Sequence, residues 1–113
     1  YYANYLKFFE RCRTEWMRFA GHDQSALASE AGIGFVARKA SCEYLKPARL
    51  DDELIVGLEV EKLTRVRVVF RQHVRRGDVE LVTGTVEIAC VNMDTMTPTA
   101  IPEFLHSKLE TLK

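Results

Sequence analysis

Hydrophobic positions recur along this chain with two different periods, and the change between them divides it. Placed at about 100° per residue, residues 5–20 sort into two faces. Tyr5, Phe8, Phe9, Cys12, Trp16, Phe19 and Ala20 fall on one side, and Lys7, Glu10, Arg11, Glu15 and Arg18 on the other. The apolar arc is wide, which predicts a helix buried over more than half its circumference. Arg13 lies on the apolar flank and has to snorkel or find a partner there. Asn4 suits the N-cap and Gly21 the stop. A second, short helix fits Gln24 to Glu30, with Asp23 or Ser25 as cap and Gly32 just past its end.

From Ile33 the period becomes two. Strands are predicted over 33–44, 53–63, 65–75 and 81–92, with Pro47 breaking the chain between the first two. Leu54, Val56, Leu58 and Val60 alternate with Ile55, Gly57, Glu59 and Glu61. Val66, Val68, Phe70 and Val74 alternate with Arg65, Arg67, Arg71, His73 and Arg75, and Val82, Val86, Ile88 and Cys90 share a face. One apolar and one polar face in each strand is the mark of an antiparallel sheet. A one-residue slip would turn a strand inside out, so matching faces sets the register. It puts Val60 opposite Val66 and Leu58 opposite Val68, through a tight hairpin at Leu63-Thr64. It also puts Val74 opposite Val82, Phe70 opposite Val86 and Val68 opposite Ile88, through a longer loop over Arg76-Gly77-Asp78-Val79-Glu80. The expected fold class is α+β, an antiparallel sheet with its apolar face on one long helix.

Composition narrows the class of function. The 113 residues fit a single domain over 1–113, with roughly 65% of the unfolded surface buried on folding. Lys plus Arg total 16 and Asp plus Glu total 16, so no net charge draws the chain to nucleic acid or an anionic membrane. No apolar run approaches the ~20 residues of a membrane span, and the expected location is cytoplasmic. Cys12, Cys42 and Cys90 form no CxxC pair and read as reduced thiols. His22, His73 and His106 are too scattered for a metal site. The chain has no GxSxG, HExxH, GxxxxGK[ST] or GxGxxG, which removes the common serine hydrolase, zinc peptidase and nucleotide-binding readings.

Three segments carry a resemblance. They are Tyr1-Tyr2-Ala3-Asn4-Tyr5 with the aromatic helix that follows, Tyr44-Leu45-Lys46-Pro47-Ala48-Arg49-Leu50-Asp51-Asp52, and Thr99-Ala100-Ile101-Pro102. Together they resemble the 4-hydroxybenzoyl-CoA thioesterase family of hotdog-fold enzymes, most closely its Tol–Pal-associated branch. The resemblance implies a hotdog fold, in which the sheet wraps around one long central helix. It implies a catalytic Asp in an Asp-x-x-Gly-x-Val segment a few residues upstream of the paired tyrosines. The first strand and that catalytic loop are therefore expected before residue 1. It also implies that a backbone N–H at the helix start, here that of Tyr2, holds the thioester carbonyl. The Tyr2 side chain stands where many members of that branch carry His. An unpaired first-turn N–H at the positive end of the helix dipole suits an oxyanion.

The other candidate residues are weaker. Tyr1, Tyr5, Tyr44 and Pro47 are expected to border the substrate, although core and dimer packing accounts equally well for the side chains of Tyr1, Tyr2 and Tyr5. Glu10 on the polar side of the helix suits an ion pair with Arg13 or Lys7 better than catalysis, and Asp51 and Asp52 suit a turn. In the expected register Glu61 faces Arg65 and Glu59 faces Arg67. Arg71 and His73, facing Thr85 and Thr83, then remain to meet coenzyme A phosphates, in competition with a solvated sheet face or an oligomer contact. The resemblance implies an acyl-CoA or acyl carrier protein thioester as substrate, no metal or redox cofactor, and a homodimer with sheets joined side by side, or a homotetramer. The expected activity is hydrolysis of an acyl-CoA thioester to a free acid and coenzyme A. The alternative is a non-catalytic hotdog module that binds acyl-CoA or acyl carrier protein.

Overall fold

A computed structural model describes residues 2–19, 32–47 and 53–113. Helix α1 runs over Tyr2–Phe19 and is followed by strands β1 (Ile33–Tyr44), β2 (Ile55–Leu63), β3 (Arg67–Arg76) and β4 (Val79–Asn92). A short helix α2 (Glu103–Glu110) closes the chain. The strands form one antiparallel sheet in the order β1-β4-β3-β2.

The alternation seen in the sequence becomes two faces of this sheet. Val68, Phe70, Gln72 and Val74 of β3 point inward and are buried, as are Val82 and Val86 of β4. Arg71 and His73 point to the other face. Helix α1 lies on the inner side, with Phe9 and Met17 buried and Cys12, Arg13 and Trp16 half-buried. Lys7, Glu10, Arg11, Glu15 and Arg18 are exposed, as the polar arc requires. Two apolar clusters result. Met17 packs with Val60, Val68, Phe70, Val86, Cys90, Ile101, Leu105 and Leu109. Phe9 packs with Val74, Leu81 and Val82, flanked by Tyr44 and Cys42.

Several local expectations are corrected. Helix α1 already includes Asn4, two residues in from its start at Tyr2, so Asn4 is not the cap. Gly21 and the second helix expected over Gln24 to Glu30 lie outside the described residues, as do Asp51 and Asp52. The β3–β4 register is the expected one at Val74↔Val82, Phe70↔Val86 and Val68↔Ile88. Beyond Val74 a bulge takes up Leu81, giving Arg75↔Glu80 and Arg76↔Val79. The connection is therefore a two-residue Gly77-Asp78 hairpin rather than a five-residue loop. Gly77 has φ +59°, which fits a Gly-first hairpin turn.

The β2–β3 register is displaced by four residues from the expected one, with Val60↔Phe70 and Leu58↔Gln72. The tight hairpin expected at Leu63-Thr64 is a wider loop. Thr64 Oγ1 accepts from the N–H of Val66 at 3.3 Å and of Arg67 at 3.0 Å, and a second bulge falls between Val60 and Lys62. A displacement by an even number keeps the side chains up to Val60 on their expected face; past the bulge it is odd, and Leu63 packs against the core. The displacement does change the charge pairing: Glu59 faces Arg71, and Arg67 pairs with Glu87 at 3.6 Å.

Candidate active site

The start of α1 supplies the chemistry that the sequence can be matched to. The described part of α1 begins at Tyr2, and N–H groups in the first turn of a helix have no acceptor within it. The first turn carries no acidic side chain, leaving the positive end of the dipole uncompensated by its own residues. Tyr1 lies outside the described residues, and so do the side chains of Tyr2 and Tyr5. The element that holds this helix start over the sheet is better defined. Phe9 is buried, and a Cβ added at Gly84 would stand 2.8 Å from Phe9 Cε2 and 3.0 Å from Ser41 O. Glycine at position 84 is what lets the ring lie directly on β4.

One turn further along, the misfit of the apolar arc is resolved. Arg13 Nη1 donates to Gln72 Oε1 at 2.6 Å, and Gln72 Nε2 donates to Phe9 O at 2.9 Å. Gln72 is 1% exposed, and both ends of its amide are occupied, as a buried carboxamide requires. Burial pulls the Arg13 guanidinium below its usual range, partly offset by Glu10 nearby. Burial also raises the Cys12 thiol on the same helix face. The alternation of β3 gives no hint of Gln72, because one polar residue among inward positions looks like a defect in the pattern rather than a partner for the unexplained Arg13.

A cavity of about 330 Å³ opens beside this contact, between α1, the sheet and α2. Glu10, Arg13 and Thr14 form its polar side, and Phe35, Val68, Phe70, Ile88, Leu105 and Leu109 line the apolar remainder. Glu10 thus sits at a cavity rim, exposed, on the same helix as Arg13.

The remaining sequence candidates separate. Tyr44 is half-buried against the Phe9 cluster, on the α1 side of the sheet, and Pro47 is exposed at the end of the same segment. Arg71 and His73 lie on the opposite face. Arg71 borders an outer hollow of about 410 Å³ with Ser41, Glu43, Thr83 and Thr85. His73 covers Gly57, where any Cβ would collide with its ring. The sheet stands between these two residues and α1, so they do not join Tyr2 and Tyr44 in one pocket of a single protomer. No helix among the described residues is long and apolar enough to cross a membrane.

An antiparallel sheet laid against one long helix defines an α+β hotdog fold of the kind used by thioesterases. The crystal structure of a probable thioesterase from Bartonella henselae superposes with a TM-score of 0.80 at 35% identity, over 90% of this chain and 84% of that one. Acyl-CoA thioesterase YbgC of Haemophilus influenzae is 36% identical over 113 residues, which are 100% of this chain and 83% of that protein. Acyl-CoA thioester hydrolase YbgC of Escherichia coli O157:H7 is 38% identical over 111 residues, 97% of this chain and 82% of that protein. Residues 1–83 match the thioesterase superfamily. The chain belongs to the thioesterase superfamily.

Proposed function

We propose that this protein hydrolyses an acyl-CoA thioester to a free carboxylic acid and coenzyme A, with the carbonyl held at the start of α1. The observation that carries the activity is its similarity, along the whole chain, to relatives named as acyl-CoA thioesterases. The Tyr2 N–H is assigned as a donor to the carbonyl oxygen. Attack at the carbonyl carbon places negative charge on that oxygen, where the N–H and the helix dipole stabilise it. The C–S bond then breaks, the electron pair leaves on sulfur, and the thiolate takes the proton given up by the attacking water; where the carboxylate attacks directly, water opens the resulting acyl–Asp anhydride to the free acid and supplies that proton.

The carboxylate that attacks, or that activates a water, is assigned to an Asp from outside these 113 residues, as the resemblance implies. Tyr1, Tyr5, Tyr44 and Pro47 are assigned to the substrate's surroundings on the α1 side. Arg71 and His73 can meet coenzyme A bound there only from a neighbouring protomer, which suits a homodimer or homotetramer. Coenzyme A enters as part of the substrate, with no metal or redox cofactor in the scheme. An acyl carrier protein thioester is the other substrate this site would take, and a cytoplasmic setting supplies both.

The assignment of Tyr2 is tested by removing its N–H alone. Proline fits the first helical position and lacks the donor, so Tyr2→Pro in the full-length protein keeps the fold. Thiol release from an acyl-CoA panel is expected to fall about 100- to 1,000-fold in kcat. Tyr2→Phe, which retains the N–H, serves as the control and should stay within a few-fold of the wild type. A folded Tyr2→Pro variant with undiminished kcat would remove the N–H from the mechanism.

A further inference from the structure

Among the described residues Gln72 is the one buried polar side chain, and its position on β3 is unexpected on energetic grounds. Its inward neighbours on the strand, Phe70 and Val74, belong to the two separate apolar clusters. An apolar residue of the same size there would join those clusters without the need for partners. What Gln72 adds is direction. Apolar contact is non-directional and tolerates sliding, whereas its two hydrogen bonds hold one turn of α1 at two points. Its oxygen takes the Arg13 guanidinium and its nitrogen gives to the Phe9 carbonyl. The two partners are donor-only and acceptor-only, so the amide has one satisfied orientation.

The same turn is fixed from a third direction. Gly84 lies directly across from Gln72 on β4, and the Phe9 ring rests on it. Phe9 is thus held by its carbonyl on β3 and by its ring on β4. We propose that Gln72 and Arg13 are positioning residues of the thioesterase site, setting where the Tyr2 amide stands relative to the substrate carbonyl. The inference rests on the reading that the Tyr2 N–H holds that carbonyl.

The geometry of transmission is simple. Phe9 lies seven positions along unbroken helix from Tyr2, about 10 Å at a rise of about 1.5 Å per residue. A helix so short moves as a rod, and a rotation of about 20° carries atoms at a radius of about 2.3 Å through roughly 0.8 Å. A misplacement near 1 Å costs on the order of 100-fold in rate. Loosening the clamp therefore affects kcat more than substrate affinity.

The experiment measures kcat, KM, melting temperature and amide hydrogen exchange for full-length wild type, Gln72→Met and the double variant Arg13→Met with Gln72→Met. The single variant leaves a half-buried guanidinium without its acceptor and should be both less stable and about 10- to 100-fold slower in kcat, with KM within about twofold. The double variant replaces both polar groups with apolar ones and should recover its melting temperature but not its kcat. A folded double variant with wild-type kcat would overturn the proposal. Exchange judges the clamp apart from turnover. Faster exchange of the amides of residues 9–13 in Gln72→Met is expected, and unchanged exchange there overturns the clamp even if the wild type hydrolyses no thioester. Absence of wild-type hydrolysis would by itself refute the activity.

Discussion

At the scale of single residues, burial has direct consequences for titration. Cys90 is fully enclosed beneath the segment leading to α2, and its thiol donates to Ala100 O at 3.7 Å. Burial pushes that thiol up to about 11 from an ordinary 9.0, because the thiolate would lose its hydration without gaining a cation. The unfolded chain loses this proton first, so the raised value costs stability only at high pH. The contribution of Cys90 is whole below pH 9, declines as pH climbs from 9 to about 11, and levels off above that. Urea unfolding of wild type and Cys90→Ala across pH 8 to 12 isolates it. The stability difference between them should be constant up to about pH 9 and then change in disfavour of the wild type. A pH-independent difference would mean that Cys90 titrates as if exposed.

Elements show how much of the fold was legible in the amino-acid pattern, and where legibility stopped. Strand β1 runs over the expected 33–44, and the β3–β4 pairing follows from apolar matching alone, because both strands have one buried face. The β2–β3 register did not follow. It depends on a bulge at Val60/Lys62 and on Thr64 capping its own loop, and neither leaves a periodic trace. Helix α2 has no counterpart among the expected elements, since eight residues with no side-chain cap give a weak signal. The role proposed for the helix start comes from the resemblance and not from the pattern. Gln72 was not legible in the pattern either, because its meaning depends on Arg13, 59 positions away in the chain.

Helix α2 nevertheless completes the core. Leu105 and Leu109 are almost wholly buried against Met17 and Phe70, and just beyond the helix Leu112 O accepts the N–H of Val60 at 2.9 Å. Leu109→Ala should therefore cost about 2–5 kcal/mol in urea unfolding. A loss below about 1 kcal/mol would show that α2 is not docked as described.

For the whole molecule, the sheet edges decide how protomers meet. The radius of gyration is 14.9 Å, against about 13 Å for a compact chain of this length, and the long axis of 43 Å is nearly twice the others. The edges of the sheet in this elongated protomer are β1 and β2. The β2 edge is partly occupied where Val60 gives its N–H to Leu112. Among the described residues nothing lies along β1, whose residues 37–41 are all exposed, and a long uncovered edge is a template for a second strand. The side-by-side dimer proposed above is therefore expected to join through β1. Backbone N–H groups point alternately to the two sides of a strand, so of Ala40 and Ser41 one faces β4 and the other faces outward. Proline at the inward position should break the β1–β4 ladder and unfold the protein. Proline at the outward position should leave the fold intact and lower the sedimentation mass to that of one protomer. Two folded or two unfolded variants would contradict the alternation, and a folded variant that retains the wild-type mass would place the interface elsewhere than β1.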